Sequence, residues 1–527
     1  MNSPRGFMLK KYIPYVFLFL LALLIRVYGL NEPAIFPDEI TWMVRGKETF
    51  LALRTFDSQH ILNYFNSAWW NMTNDTQAIA LPLVGLIGPF VAYLGKGGGI
   101  LTYGLFEDQV ISRFILIVAN SLFFPIFYYF SRKITSKGVS IFATTILLLD
   151  PFLIGISRIV INDSLLMIFS FLAIVSYTFV EKRTYSILLS AMFLSLAFLT
   201  KPIGILPVAA WISYSVLSKN RFQEFKTIVY TGLLCVLMIS IVWPPSWTSP
   251  VISIVEYLLR QTDLVQEGNT YFFFGEVSKN PSSYFYIFQL ITKLPIYVIL
   301  AAIGYIVVSA HRLLHSKNVK MFARKHKFEI SVFVYILIFL LVISFSPKKL
   351  GARYALPLWP FIYLSSAHFI YRVLIHLKRI WLRALLVSFL VLVSLFAAYS
   401  TFPYYEFYSN TFVGGSAGAQ KHDLVGLCYG AKESVEYIKK CYPDVGSLAY
   451  LGCSKTVIPY YSNLNANVNW TYEQIVVIEN SEAVLNSDSV PFSQYKFMSP
   501  SSEIVINGVV LSRIYVNDPD LSNLCGS

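Results

Sequence analysis

YIPYVFLFLLALLIRVYGL, residues 12–30, is an apolar run of the length a helix needs to cross about 30 Å of hydrocarbon. Directly after it, in NEPAIFPDEITWMVRG (31–46), two carboxylates, Asp38 and Glu39, stand side by side. The run is too long for the core of a signal peptide and no small-residue cleavage site follows it, so it reads as a retained first span. What the two acids do then depends on which side of the membrane they face, and on what else faces the same way.

The rest of the chain repeats the pattern of that first run. Of 527 residues 56% are hydrophobic, 16% aromatic and only 13% charged, with mean hydropathy +0.58, which leaves too few polar side chains to cover a soluble surface. The apolar residues come in blocks of about twenty rather than in short alternating strands, so helical spans are expected and an outer-membrane barrel is not. The net charge of +13 would suggest nucleic acid in a soluble protein, but here it sits in short loops between the blocks. Arg5, Lys10 and Lys11; Arg132, Lys133 and Lys137; Lys182 and Arg183; Lys219, Arg221 and Lys226; HRLLHSKNVKMFARKHK (311–327); and YRVLIHLKRIWLR (371–383) mark those loops as cytoplasmic. No nucleic-acid partner is implied. The alternate loops carry most of the acids, including Asp57, Asp75, Glu107 and Asp108.

Placing every basic loop inside gives about eleven spans, near 12–30, 109–131, 139–156, 164–180, 185–200, 203–217, 227–245, 293–311, 330–346, 353–371 and 383–401. The N-terminus is then cytoplasmic and the C-terminus outside. The segment AIALPLVGLIGPFVAYLG (78–95) is long enough to cross, yet counting it would invert every later loop. With Pro82 and Pro89 inside it, it reads as a re-entrant or interfacial helix within a first outer loop of 31–108; a twelfth span is the alternative. Beyond residue 401 the apolar blocks stop, and runs such as SLAYLGC, QIVVIEN and EIVINGVVL alternate with Asn, Ser, Gly and Asp. The fold expected is an all-α polytopic membrane protein over 1–401, with a small α/β extracytoplasmic domain over 402–527. Cys428, Cys441, Cys453 and Cys525 fall in that domain and form two disulfides in any of three connectivities, or stay reduced; Cys235 lies mid-span.

With this topology several ionisable groups return to one outer surface. Taken alone, Asp38 and Glu39 fit a solvated or helix-capping role. Their companions point elsewhere. LLLDPFLIGISRIVINDSLLM places Asp150, Arg158 and Asp163 at the hydrocarbon boundary, where ionisable side chains cost several kcal/mol unless paired or lining a wet cavity. An Arg158–Asp163 ion pair joining two helices is the plainer reading of that set. FLTKPIG turns so tightly that Lys201 sits against the surface; SFSPKKLGARYALP brings Lys348, Lys349 and Arg353; Arg26 and Arg113 add guanidinium groups at the outer ends of their spans. Cations at a bilayer surface hold a lipid-linked phosphate by charge-assisted bonds, and a carboxylate takes a proton from an attacking hydroxyl. No His or Cys cluster has metal-site spacing, GKGGG near residue 97 lacks the setting of a phosphate loop, and no cofactor is implied, although dependence on a divalent cation stays open.

One ordered set of motifs carries a resemblance. R-x-x-G-L then P-D-E (Arg26, Gly29, Leu30, Asp38, Glu39), S-R-x-x-x-x-D (Ser157, Arg158, Asp163), T-K-P-x-G (Thr200–Gly204), W-P-P-S-W-x-x-P (Trp243–Pro250), F-F-G with T-K-L-P (Phe273–Gly275, Thr292–Pro295) and K-K-L-G-A-R-Y-A-L-P (Lys348–Pro357) follow one another. FPYYEFYSNTFVGG (402–415) completes the set. The sequence resembles the GT-C membrane glycosyltransferases, and within them the dolichyl-phosphate-mannose protein mannosyltransferases and their prokaryotic relatives, including aminoarabinose transferases. The resemblance implies transfer of a single sugar from a polyprenyl-phosphate donor to an acceptor hydroxyl on protein, lipid or glycan, with inversion, at the outer membrane face. It implies Asp38 as the base on, or orienter of, the acceptor hydroxyl, with Glu39 beside it. Arg158, Asp163, Lys201, Lys348, Arg353 and Arg113 then belong to the substrate site. The loop over 246–292 is too short for the carbohydrate-binding insert of the eukaryotic enzymes, which favours a prokaryotic plasma membrane over the endoplasmic reticulum. An oligosaccharyl transferase is the nearest alternative. A secondary transporter fits less well, because the charges crowd the outer edge rather than mid-membrane.

Overall fold

The computed structural model describes residues 4–40, 42–43, 105–243, 246, 250–471, 473–487, 489–490, 492–518 and 521. The interfacial helix expected over 78–95, with Asp57 and Asp75, lies outside the described residues. Among the described residues seven helices are long and apolar enough to cross a membrane: Gln109–Ile134, Arg183–Thr200, Arg221–Val242, Ile296–Leu314, Lys327–Phe345, Ala352–His376 and Ile380–Thr401. Shorter apolar helices occupy Tyr12–Val27, Lys137–Leu148, Asp163–Phe179 and Pro202–Leu217, on the remaining apolar blocks.

Punctuation in the sequence sets the helix ends that matter for the site. Asp150 caps Pro151–Ile156 by accepting from the Leu153 amide at 2.6 Å, with Pro151 in the first turn where its missing N–H costs nothing. Asp150 also accepts from the Tyr363 hydroxyl, so this boundary carboxylate is a buried helix cap tied to the 359–376 helix. Pro14 and Pro125 lie inside helices, as membrane helices tolerate. The 163–179 and 183–200 helices form a closely packed pair, and the main core gathers Phe123, Phe127, Phe171, Tyr335 and Phe361 between the 105–134, 163–179, 327–345 and 359–376 helices.

The C-terminal part folds as a small α/β domain. Its strands β3 (Ser447–Leu451), β4 (Asn465–Asn467), β5 (Ile475–Glu479), β6 (Ser502–Ile506) and β7 (Val509–Val516) form one sheet in the order β4-β3-β5-β7-β6. β3 runs parallel to β4 and β5, whereas β7 is antiparallel to β5 and β6. EIVINGVVL is a hairpin rather than one strand: Asn507 and Gly508, at φ 51° and 75°, make the left-handed turn that Asn-Gly favours. β1 (Tyr271–Phe273) and β2 (Glu276–Ser278) form a separate hairpin that packs down onto this part of the chain. Phe274 donates its amide to His422 O at 2.9 Å, and Asp423 accepts from Tyr271 at 2.9 Å and Gln289 at 2.8 Å. The aromatic stretch around 271–288 is therefore mostly a mutually packed cluster, with Tyr271, Phe273, Phe285 and Tyr286 buried. Cys428 bonds to Cys453, Cys441 is also disulfide-bonded, and Cys235 is buried and free.

Candidate active site

Each charged residue of the site is aimed by an irregularity at a helix end. A helical stretch begins at Pro37, in the first-turn position that proline suits. The Glu39 carboxylate reaches back to accept from the Phe36 amide at 2.9 Å, the reciprocal contact of a capped N-terminus. Asp38 is thereby fixed at the mouth of that turn. The 183–200 helix breaks at Lys201 (φ −156°, ψ 144°), because the residue before a proline is driven out of the helical region and Pro202 follows. Gly204 lets the chain double back: a Cβ there would lie 2.2 Å from the carbonyl oxygen of Ala197. Gly351, at φ 76°, makes the corresponding bend before Arg353 on the short helix Ala352–Leu358.

These turns converge. Asp38, Asp163, Lys201, Lys348 and Arg353 all line one cavity of about 650 Å³. Arg353 Nη2 lies 3.2 Å from Asp38 Oδ2, and Lys201 Nζ lies 2.6 Å from Asp163 Oδ1 and 3.7 Å from the centre of the Tyr354 ring. Asp163, in the first turn of its helix, also faces the positive end of that helix. Burial lowers the pKa of Lys201; the Asp163 carboxylate opposes that shift and nearby Arg353 adds to it. Among the described residues that line it, Lys201, Lys348 and Arg353 bring cations and Asp38 and Asp163 bring carboxylates. Its far wall is apolar, built from Ile203, Leu206, Leu258, Val265, Val342 and Phe345.

The other expected site residues point elsewhere. Glu39 is fully buried and receives both Arg113 Nε at 2.8 Å and Arg113 Nη2 at 2.6 Å, together with the Val160 amide at 2.9 Å. Arg113 spends its remaining donors on Leu30 O and Pro33 O, each at 3.2 Å, and Ala34 O at 3.0 Å. Neither lines the cavity. They pin the loop that carries Asp38. Arg158 does not pair with Asp163: its guanidinium donates to Gly29 O and stacks 5.1 Å from the Tyr405 ring, away from the cavity. Lys349, next to cavity-lining Lys348, turns back to cap the 327–345 helix through Ile343 O and Ser344 O, while Arg26 is buried against Phe124 and bonds Ser157 Oγ at 2.8 Å. Among the described residues, no group of three or more His, Cys, Asp or Glu stands together that could hold a metal ion.

Sequence reasoning missed Trp42, Tyr286 and Tyr354, and a whole wall from the helix Pro250–Glu267 that brings Tyr257, Gln261 and Thr262 to the cavity. Tyr354 stood inside the GARYALP motif, but nothing in the motif singles it out from its neighbours.

Comparison with known proteins agrees with this architecture. Residues 88–243 match the model of the family described as dolichyl-phosphate-mannose-protein mannosyltransferase. The fold is similar to the archaeal oligosaccharyltransferase AglB from Archaeoglobus fulgidus, solved in complex with an inhibitory peptide and a dolichol-phosphate (TM-score 0.50, 11% identity, covering 92% of this chain and 72% of that one). ArnT from Cupriavidus metallidurans aligns at 13% identity in its apo state, over 96% of this chain and 98% of that one (TM-score 0.49). Bound to undecaprenyl phosphate, it aligns over 100% of both chains at 13% identity (TM-score 0.47). No curated protein sequence matches the chain. The polytopic helical bundle with its small C-terminal α/β domain shares the overall fold of that archaeal oligosaccharyltransferase. The match to the mannosyltransferase family model is carried by the segment 88–243, less than half of the chain.

Proposed function

We propose that this protein moves a single sugar from a polyprenyl-phosphate donor to an acceptor hydroxyl at the non-cytoplasmic face of a prokaryotic plasma membrane, inverting the anomeric centre. The observation that carries the reading is the meeting of Asp38, Lys201 and Arg353 around one cavity with an apolar wall. The isoprenoid tail lies along Leu206, Val342 and Phe345, and the phosphate among Lys201, Lys348 and Arg353. The acceptor oxygen attacks the anomeric carbon while the bond from that carbon to the phosphate oxygen breaks. The hydroxyl proton passes to Asp38, and the electron pair stays on the leaving phosphate, where fixed cations meet the charge as it develops. Arg353 serves both halves, orienting the Asp38 carboxylate and facing the phosphate. Glu39 and Arg113 hold the loop and take no part in the transfer.

The test is direct. In membranes supplied with polyprenyl-phosphate sugars, Asp38→Asn lowers transfer by about 10²–10⁴-fold, the usual worth of a positioned base, and leaves binding of undecaprenyl phosphate intact. Transfer at the wild-type rate by that variant overturns the assignment. Mass spectrometry of the product separates one added sugar from an added oligosaccharide.

A further inference from the structure

The segment that delivers Asp38 is gripped from two sides. From the helical bundle, Arg113 holds the carbonyls of Leu30, Pro33 and Ala34. The amides of the same segment are held by the C-terminal part of the chain. The Ala34 amide donates to the Tyr404 hydroxyl oxygen at 3.0 Å, and the Ile35 amide to that of Tyr461 at 2.6 Å. Ile35 is 2% exposed and packs inside the core of the α/β domain, with Val435, Ile438, Val457 and Ile458. Lys432 donates to Glu32 O at 2.7 Å. Phe36 continues the contact toward the cavity: its ring lies 5.5 Å from the Tyr429 ring on one side and 5.5 Å from the Arg353 guanidinium on the other. Tyr429 follows Cys428, whose disulfide to Cys453 anchors the start of the short helix Cys453–Tyr460 that leads to Tyr461.

We infer that the C-terminal α/β domain works as a positioning element for the reaction, and that Tyr461 is a positioning residue acting on Asp38 through the Ile35 peptide. Isolated peptide amides at a loop start are ordinarily left to water. Here two of them are spent on tyrosines of a separate domain, and the next aromatic residue bridges that domain to Arg353, the cation paired with Asp38. A carboxylate that must meet a hydroxyl and an anomeric carbon within a fraction of an ångström needs its backbone fixed in this manner. The domain supplies half of that fixation without lining the cavity itself.

The inference rests on Asp38 as the base, so its test has a readout that does not. In the full chain in detergent, Tyr461→Phe keeps the ring and removes the hydroxyl that accepts from Ile35. Hydrogen exchange over residues 31–40 then quickens about three- to tenfold, the worth of one hydrogen bond, while undecaprenyl phosphate affinity and melting temperature hold. The transfer rate falls by a comparable factor with the donor KM unchanged. Tyr404→Phe, which spares the Ile35 contact but also removes the hydroxyl that donates to Glu433, quickens exchange at Ala34 and serves should the first variant fail to fold. Unchanged exchange over 31–40 overturns the inference, as does faster exchange with a wild-type transfer rate. Full transfer by Asp38→Asn removes the catalytic reading alone, and the exchange comparison still decides whether the domain holds the loop.

Discussion

Successive residues on a helix point about 100° apart, and that rotation divides the acidic pair. Asp38 faces the cavity beside Arg353, whereas Glu39 is turned inward to a bidentate pairing with Arg113. The sequence shows two carboxylates at the start of a helix; which of them faces a substrate depends on where that helix docks, and the docking partners are more than seventy residues away in the chain. Arg158 and Lys349 also turn away from the cavity. Each sits in the right motif, yet Arg158 finds its carbonyl partner at Gly29, 129 residues away, and Lys349 folds back locally onto Ile343 O and Ser344 O at the end of the preceding helix. The consequence for Glu39 can be measured. Glu39→Gln leaves Arg113 buried beside a neutral amide, and breaking one side of a buried pair costs about 3–5 kcal/mol. The expected result is a large drop in melting temperature and yield, with residual folded protein transferring sugar about three- to tenfold more slowly because the Asp38 loop is loosened. A stable Glu39→Gln protein that is catalytically dead would instead make Glu39 part of the chemistry.

At the scale of elements, the apolar blocks were legible because lipid forces every backbone group to be satisfied within its own helix, which writes long runs into the sequence. Turns that aim Lys201 and Arg353 were legible too, since Pro202, Gly204 and Gly351 act through backbone geometry alone. The helix 250–267 was not. Its apolar residues are spaced around Glu256, Gln261, Thr262 and Asp263, so it fails a hydropathy criterion while still giving the cavity a wall. In the C-terminal domain the end of β5 and the start of the 453–460 helix meet at Glu479. Its buried carboxylate accepts from the Ser454 amide at 2.9 Å, the Cys453 amide at 3.1 Å and the Tyr450 hydroxyl at 3.0 Å. Burial raises its pKa from 4.5 to about 7, against the pull of those hydrogen bonds. The native state therefore keeps a proton that the unfolded chain releases, so this group's contribution to stability is present below about pH 4.5 and is lost as pH rises toward about 7. Glu479→Gln retains an acceptor oxygen and cannot ionise. Its melting temperature relative to wild type should rise between pH 5 and pH 8; a difference that is flat or falls over that interval would remove Glu479 as the titrating group.

Over the whole molecule, the bundle and the α/β domain share residues rather than merely touching. Ile35, next to the first membrane helix in sequence, is buried in one core of the domain, and Ala34 lies in a second with Tyr404, Phe407 and Tyr429. Asn410 ties the chain leaving the last long helix to the bundle through Thr292 O, Ile291 O and Leu294 O, and Asn507 of the β6–β7 turn donates to Thr401 O at 3.0 Å. Asp423 secures the β1–β2 hairpin against the same surface. A domain joined by a plain linker unfolds by itself, but one whose core contains part of the neighbouring unit cannot open without breaking that unit's own contacts. The two are thus expected to unfold as one cooperative system. Heating the purified protein in detergent, exchange in β5 and in the 163–179 helix should collapse at the same temperature, and reducing the Cys428–Cys453 bond, which closes a loop of 25 residues, should lower both together. Loss of protection in β5 well below the bundle's transition would show the domain to be an appendage, and would leave the Asp38 loop to be held by Arg113 alone.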